Sequence, residues 1–199
     1  MFRVVLFAGG LTLLVACTPS DQSPVATVPS EKAREALQIA TAARAASSAG
    51  DFAAAAKGYE DYLAALATNP DRDPADYANG LTQLAGCYYR LKFFARAASS
   101  YREALACETV RLGPDHEDVA GLWSILGSLE LRRGNAAEAE RIQRMLLAGE
   151  YRKHARGRRE AATILTNLAE ALEAQGKAAE AAQARQEAKD IRHKLCDEC

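Results

Sequence analysis

Beyond residue 30 the apolar side chains of this chain fall three and four apart, in runs that stop and restart at a constant interval. Leu81, Leu84, Ala85 and Tyr88 share one face of a predicted helix, and Phe94, Ala97, Tyr101 and Ala104 share one face of the next. A turn at Lys92 separates them. Equivalent turns fall at Gly50, Gly134 and Gly176, so that successive turns are 42 residues apart. Trp123, Leu126 and Gly127 lead into Gly134, with Ala136, Ala139 and Leu146 beyond it. Leu165, Leu168, Ala169 and Leu172 lead into Gly176, followed by Ala178, Ala181 and Ala188. Ile39, Ala42, Ala43 and Ala46, then Phe52, Ala55, Tyr59 and Tyr62, make a degenerate first copy. No stretch of useful length alternates with the two-residue period of a strand. The pattern predicts an all-α domain over 31–199 with four helical hairpins, at about 33–70, 75–112, 117–155 and 159–196.

One such hairpin cannot bury its apolar face alone, so the units must stack. Small residues at Ala85, Ala97, Gly127, Ala139, Ala169 and Ala181 let the two helices of a unit approach closely, while Leu84, Tyr88, Tyr101 and Trp123 fill the space between units. The run Trp123-x2-Leu126-Gly127 and the small and aromatic positions after each turn resemble the tetratricopeptide repeat. The 42-residue period and the segment Arg111-Leu-Gly-Pro-Asp-His116-Glu-Asp-Val119 resemble the kinesin-light-chain type of that repeat. The resemblance implies a right-handed superhelical solenoid whose concave surface is lined by the first helix, helix A, of each unit. Within the segment, Gly113 suits a left-handed helix end, Pro114 blocks continuation, and Asp115 or Asp118 is expected to cap the next helix. Three residues depart from the pattern. Glu130 holds an aromatic position of helix A, and Gln143 and Arg185 replace the aromatic of helix B. Looser packing is expected at the third and fourth interfaces, with the polar helix Lys177–Leu195 facing water.

The resemblance also implies that a peptide is held on the concave face. The exposed helix-A positions there are Arg44, Asn79, Gln83, Tyr89, Arg90, Ser124, Ser128, Arg132, Asn167 and Glu170. Asn167 falls where the family often carries an Asn that bonds a peptide backbone, and Gln83 is the matching amide of the second unit. An amide donates and accepts at once, which suits an extended main chain. Arg44, Arg90 and Arg132 are placed to meet acidic side chains or a terminal carboxylate.

The first thirty residues have a different character. Met1–Ala16 carries one charge, Arg3, and an apolar run too short to span a bilayer, so it reads as a secretory leader. Leu14-Val-Ala-Cys17 resembles the lipobox of bacterial lipoproteins, in which the cysteine is acylated and the leader is cut before it. That resemblance makes Cys17 the lipid attachment site. Thr18, not Asp, follows it, which implies the outer membrane, facing the periplasm. Thr18–Ser30 is rich in Pro, Ser and Thr and reads as a flexible tether, reaching roughly 40–45 Å extended and about 20 Å on average.

Charge and cysteines narrow the chemistry. Lys and Arg number 25 against 26 Asp and Glu, a net charge of −1 that argues against nucleic-acid binding. Arg152-Lys-His-Ala-Arg-Gly-Arg-Arg159 is the one dense basic run and reads as a helix end followed by a solvated turn, with anionic headgroups as the other reading. Cys196-Asp-Glu-Cys199 could form a short disulfide; with His193 it could serve a thiol or metal function, but the strand context of a redox motif is missing. Cys87 and Cys107 are expected to be buried and unpaired. His116, His154 and His193 lie far apart, and no nucleophile–base set or phosphate loop is seen, so neither catalysis nor a small-molecule substrate nor a cofactor is expected. The reading is a membrane-anchored adaptor for a protein or peptide partner, the alternative being a pilotin-like assembly factor of a secretion or pilus system.

Overall fold

The computed structural model describes residues 30–69, 72–148 and 155–197. The leader, Cys17, the tether before Ser30, most of the basic run and Cys199 lie outside the described residues. Among the described residues eight helices follow one another: α1 (Glu31–Ser48), α2 (Phe52–Ala67), α3 (Pro74–Arg90), α4 (Phe94–Leu112), α5 (Glu117–Arg132), α6 (Ala136–Ala148), α7 (Ala155–Ala174) and α8 (Ala178–Asp197). No strand occurs among the described residues. Each helix packs on its neighbours in chain order, and α5 also touches α7.

The helix boundaries follow from local chemistry. Ser30, Asp51 and Asp73 each accept a hydrogen bond from a backbone N–H of the first turn they precede, at 3.2, 3.0 and 2.8 Å. Pro74 then opens α3, where its missing N–H has no helical duty. At the other end of each helix A the chain closes in the same way. Asp51, Phe93, Asn135 and Lys177 donate their N–H to the carbonyls of Ala46, Tyr88, Glu130 and Leu172 at 2.8–3.0 Å. Such closure needs a left-handed residue, and Gly50, Lys92, Gly134 and Gly176 supply it with φ of 83°, 63°, 84° and 76°.

The cap of α5 differs from expectation. His116, extended at φ −72° and ψ 145°, accepts from the N–H of Asp118 through Nδ1 at 3.1 Å. Asp115 lies before the boundary, and Asp118 is already inside the first turn, where its own N–H needs an acceptor and its charge favours the helix start. Gly113 has positive φ, but at ψ 159° it is extended and not left-handed helical.

Inside each unit the two helices meet through small residues. Ala43 and Ala55, Ala85 and Ala97, Gly127 and Ala139, and Ala169 and Ala181 stand in one register, and all eight are buried. In the first unit Gly58 lies so close to α1 that a Cβ there would come within 2.7 Å of the Cβ of Ala43.

Between units, one register position recurs with different chemistry. Tyr88 of α3 donates its hydroxyl to Glu60 of α2. One period later Glu130 of α5 receives Arg102 of α4 at 2.5 Å. The Glu130 carboxylate, only 1% exposed, also accepts from Arg133 at 2.8 and 2.9 Å and from Asn135 at 2.6 Å. The expected looseness is absent at this position, because the carboxylate that replaces the aromatic is closed by a full set of donors. Another period on, Leu172 offers no polar atom, and Arg144 turns to Glu140 and Glu180 at 2.8 and 2.7 Å.

At the third-to-fourth interface polar side chains interrupt the apolar contact, while α6 and α7 pack as extensively as the helices at the other interfaces. One apolar cluster runs from Ala43 to Ile164, and a second, around Leu165, Leu168, Leu172 and Ala181, belongs to the fourth unit. Leu147 packs against both. Gln143 is fully buried, and its side-chain amide makes no protein hydrogen bond. Arg185 points to solvent and forks onto Glu173. Polar links bridge the seam: Gln175 and Lys177 donate to Glu140 at 2.8 and 2.7 Å. Lys177 and Arg144 together hold the Glu140 carboxyl down to about 2.

Two glycines should respond in opposite senses to the same change. Gly58→Ala must push α1 from α2 and should lower stability by about 1–2 kcal/mol, whereas Gly121→Ala, with open space around it, should raise it by about 0.5–1 kcal/mol in thermal melts. The depressed Glu140 carboxyl adds stability that is fully present above the ordinary value of 4.5 and lost as pH falls toward 2. Denaturant titrations of Glu140→Gln should therefore show a flatter loss of stability between those pH values than the parent chain.

Candidate binding groove

The concave side carries a groove of about 740 Å³ across α3, α5 and α7. Its apolar floor is Leu122, Ile125, Leu146 and Ile164. Ile125 is 43% exposed, an apolar side chain that the core does not use. Asn79 and Gln83 of α3 and Ser124 of α5 line one wall, with Thr163 and Glu160 of α7 opposite. At one end Glu108, itself buried, accepts from Arg111 at 3.0 and 2.6 Å. A smaller hollow of about 280 Å³ lies between α1 and α3, where Arg44 sits with Asn79, Gln83, Tyr59 and Tyr62. Burial pushes both tyrosine hydroxyls up, so they remain protonated donors at neutral pH.

The ten predicted partner-contact residues separate into three sets and one residue apart. Asn79, Gln83 and Ser124 line the main groove, and Arg44 joins the first two in the smaller hollow. Ser128 and Asn167 are brought together but spend their polar atoms on each other: the Asn167 amide donates to Ser128 Oγ at 2.9 Å, and that hydroxyl donates to the Ser124 carbonyl at 3.2 Å. Asn167 thus ties α7 to α5. Tyr89, Arg90 and Arg132 gather at the edge formed by the turns. The Arg132 guanidinium lies 5.8 Å over the Tyr89 ring, which packs at 5.7 Å on Phe94, and Arg90 lies 4.7 Å over Phe52. Both guanidinium groups stack on rings of the adjacent units and lie outside the groove lining. Glu170 is exposed on α7 outside the groove lining.

Sequence reasoning missed the floor. Ile125 sits beside the Leu122 and Leu126 stripe of α5, and an apolar residue off the core stripe is the signal that could have found it. Among the cysteines, Cys87 is buried, Cys107 half-buried and Cys196 exposed, all as free thiols. Burial pushes the Cys87 and Cys107 thiols up. No group of three or more His, Cys, Asp or Glu side chains suited to a metal occurs among the described residues. No described helix is long and apolar enough to cross a membrane.

Residues 76–150 match the family model for the tetratricopeptide repeat. The fold is similar to BtubC (BKLC) from P. vanneervenii, with a TM-score of 0.71 and 24% identity over 80% of this chain and 64% of that one. The fold is that of a tetratricopeptide-repeat solenoid. A Podosopora anserina protein assigned as a kinesin light chain of nearly identical TPR-like repeats superposes with a TM-score of 0.70 and 19% identity, over 84% of this chain and 80% of that one. A single-substitution variant of that protein gives 0.69 and 18%, over 86% and 81%. The chain spans less than two thirds of the length of the P. vanneervenii protein. No curated protein matches it.

Proposed function

We propose that this tetratricopeptide-repeat domain is a scaffold that holds a segment of another protein in the groove across α3, α5 and α7, near a membrane to which lipid on Cys17 ties it. The observation that carries the reading is the state of the groove's side chains. Asn79 and Gln83 are exposed and make no hydrogen bond to the described chain, and Ile125 is an apolar residue that the core leaves in solvent. Two free amides beside an apolar floor suit an extended peptide: the amides satisfy its main chain, and one apolar side chain lands near Ile125. Burying a side chain of leucine size supplies about 1.5–3 kcal/mol, a modest affinity on its own. A lipid anchor raises the effective concentration of whatever partner shares the same surface, so modest affinity suffices. Helices that keep their spacing through packed small residues offer such a segment a preformed site, which lowers the ordering cost of binding.

Photo-crosslinkers placed at Gln83 and Ile125 in cells should give one discrete protein adduct, while Arg141 on α6 should give none. Absence of an adduct from both groove positions, or equal labelling from Arg141, would contradict the groove. In the same cells Cys17→Ser should release the protein from the membrane fraction; retention there would contradict the anchor and leave the groove standing.

A further inference from the structure

The second turn departs from the other three at the left-handed position, and from the first at the position after it. Glycine occupies the left-handed position at 50, 134 and 176, but Lys92 stands there at φ 63°, the one non-glycine positive φ among the described residues. At the next position Asp51 caps α2, whereas Phe93 leaves α4 with no side-chain cap. A side chain in the left-handed region and an apolar residue at a helix start are both locally unfavourable. Neither is offset by burial, since Lys92 is exposed and Phe93 is 52% exposed. Local rules broken together at an exposed tip point to use of that tip.

The surroundings give the chemistry. Arg90, Arg96 and Arg132 lie over the rings of Phe52, Tyr88 with Phe93, and Tyr89, at 4.7–5.8 Å. Neither these three nor Lys92 forms an ion pair among the described residues, although Arg102, Arg133, Arg141 and Arg144 all do. Three acids of the adjoining units are already engaged. Glu60 accepts the Tyr88 hydroxyl, Asp51 caps α2, and Glu130 is closed by Arg102, Arg133 and Asn135. Ring stacking holds the guanidinium groups in place without neutralising them. The turn edge of the second and third units is therefore a cationic patch around a half-exposed aromatic.

We propose that this edge docks on an anionic phospholipid surface, with Phe93 at the boundary of headgroup and acyl chain and Arg90, Lys92, Arg96 and Arg132 against phosphates. The proposal rests on the membrane anchoring proposed above. All four helix-A ends share this edge, and Ser30 lies one length of α1 away, about 27 Å for its 18 residues. A tether reaching roughly 40–45 Å extended spans that distance. Once the domain is tethered, weak contacts are enough to orient it, and each cation near an anionic surface contributes roughly fivefold in partition.

The test uses the acylated full-length chain in vesicles, with Trp123→Phe removing the sole tryptophan and Phe93→Trp or Val110→Trp supplying a reporter. Val110 is 91% exposed on α4 and serves as the reference. In phosphatidylglycerol-containing vesicles carrying brominated acyl chains, the reporter at 93 should be quenched at least severalfold more than that at 110. The difference should vanish in high salt, in pure phosphatidylcholine, and when Arg90→Gln, Lys92→Gly, Arg96→Gln and Arg132→Gln are combined. Lys92→Gly relieves the left-handed strain, so by itself it should weaken quenching while raising the melting temperature. Equal quenching at 93 and 110 in anionic vesicles that the protein still accompanies on flotation overturns the edge alone, including the case in which an acidic protein occupies it. Failure to float with either vesicle overturns the anchor and the docking together.

Discussion

Everything in this solenoid depends on how closely two helices can lie within one unit. The distance is set by the small residues at 43 and 55, 85 and 97, 127 and 139, and 169 and 181, where the backbones approach with only a methyl or a hydrogen between them. Each hairpin then becomes a thin slab with one apolar face toward each neighbour. A slab cannot bury both faces unaided, so stability comes from adding units, and the fixed slab thickness sets the pitch at which helix A recurs. The groove is a consequence of that pitch. Leu122, Ile125, Asn79 and Gln83 face one opening because three helices A stand at repeated spacing.

Between slabs, selection has solved one geometric problem in three ways. The position occupied by Tyr88 over Glu60 becomes Glu130 over Arg102 and then Leu172 beside a diverted Arg144. Each pair is compatible with its own neighbour and poorly with another. A tyrosine opposite Arg102 would lose a charge partner, and Glu130 opposite Glu60 would meet a like charge. The order of units is thereby encoded in side chains as well as in connectivity. The last of the three is the most polar, with the buried Gln143 amide and the Glu140 network interrupting the apolar contact there.

Much of this was legible in the sequence. The period of 42 located the four left-handed turns to the residue, because a helix end of this type needs an exceptional backbone conformation that glycine signals. The small-residue pairs were legible because close approach tolerates few side chains. What could not be read were partnerships between helices. Glu130 looked like a defect, since its donors Arg102 and Arg133 sit on a different helix and in the following turn. The directions of Arg90 and Arg132 were not legible, because a long side chain leaves its direction open and only the adjacent rings fix it. Asn167 had the right position for a peptide contact, yet Ser128 stands within reach of it. The His116 cap was hidden by two aspartates on either side with better intrinsic capping tendency.

A stack held by nearest-neighbour faces, with one polar seam, should not open as a single body. Native-state hydrogen exchange followed helix by helix tests this most directly. The amides of α7 and α8 should open together at a lower free energy than those of α3, α4 and α5, with α6 marking the boundary. Exchange of all eight helices at one common free energy would contradict the nearest-neighbour picture and the seam with it.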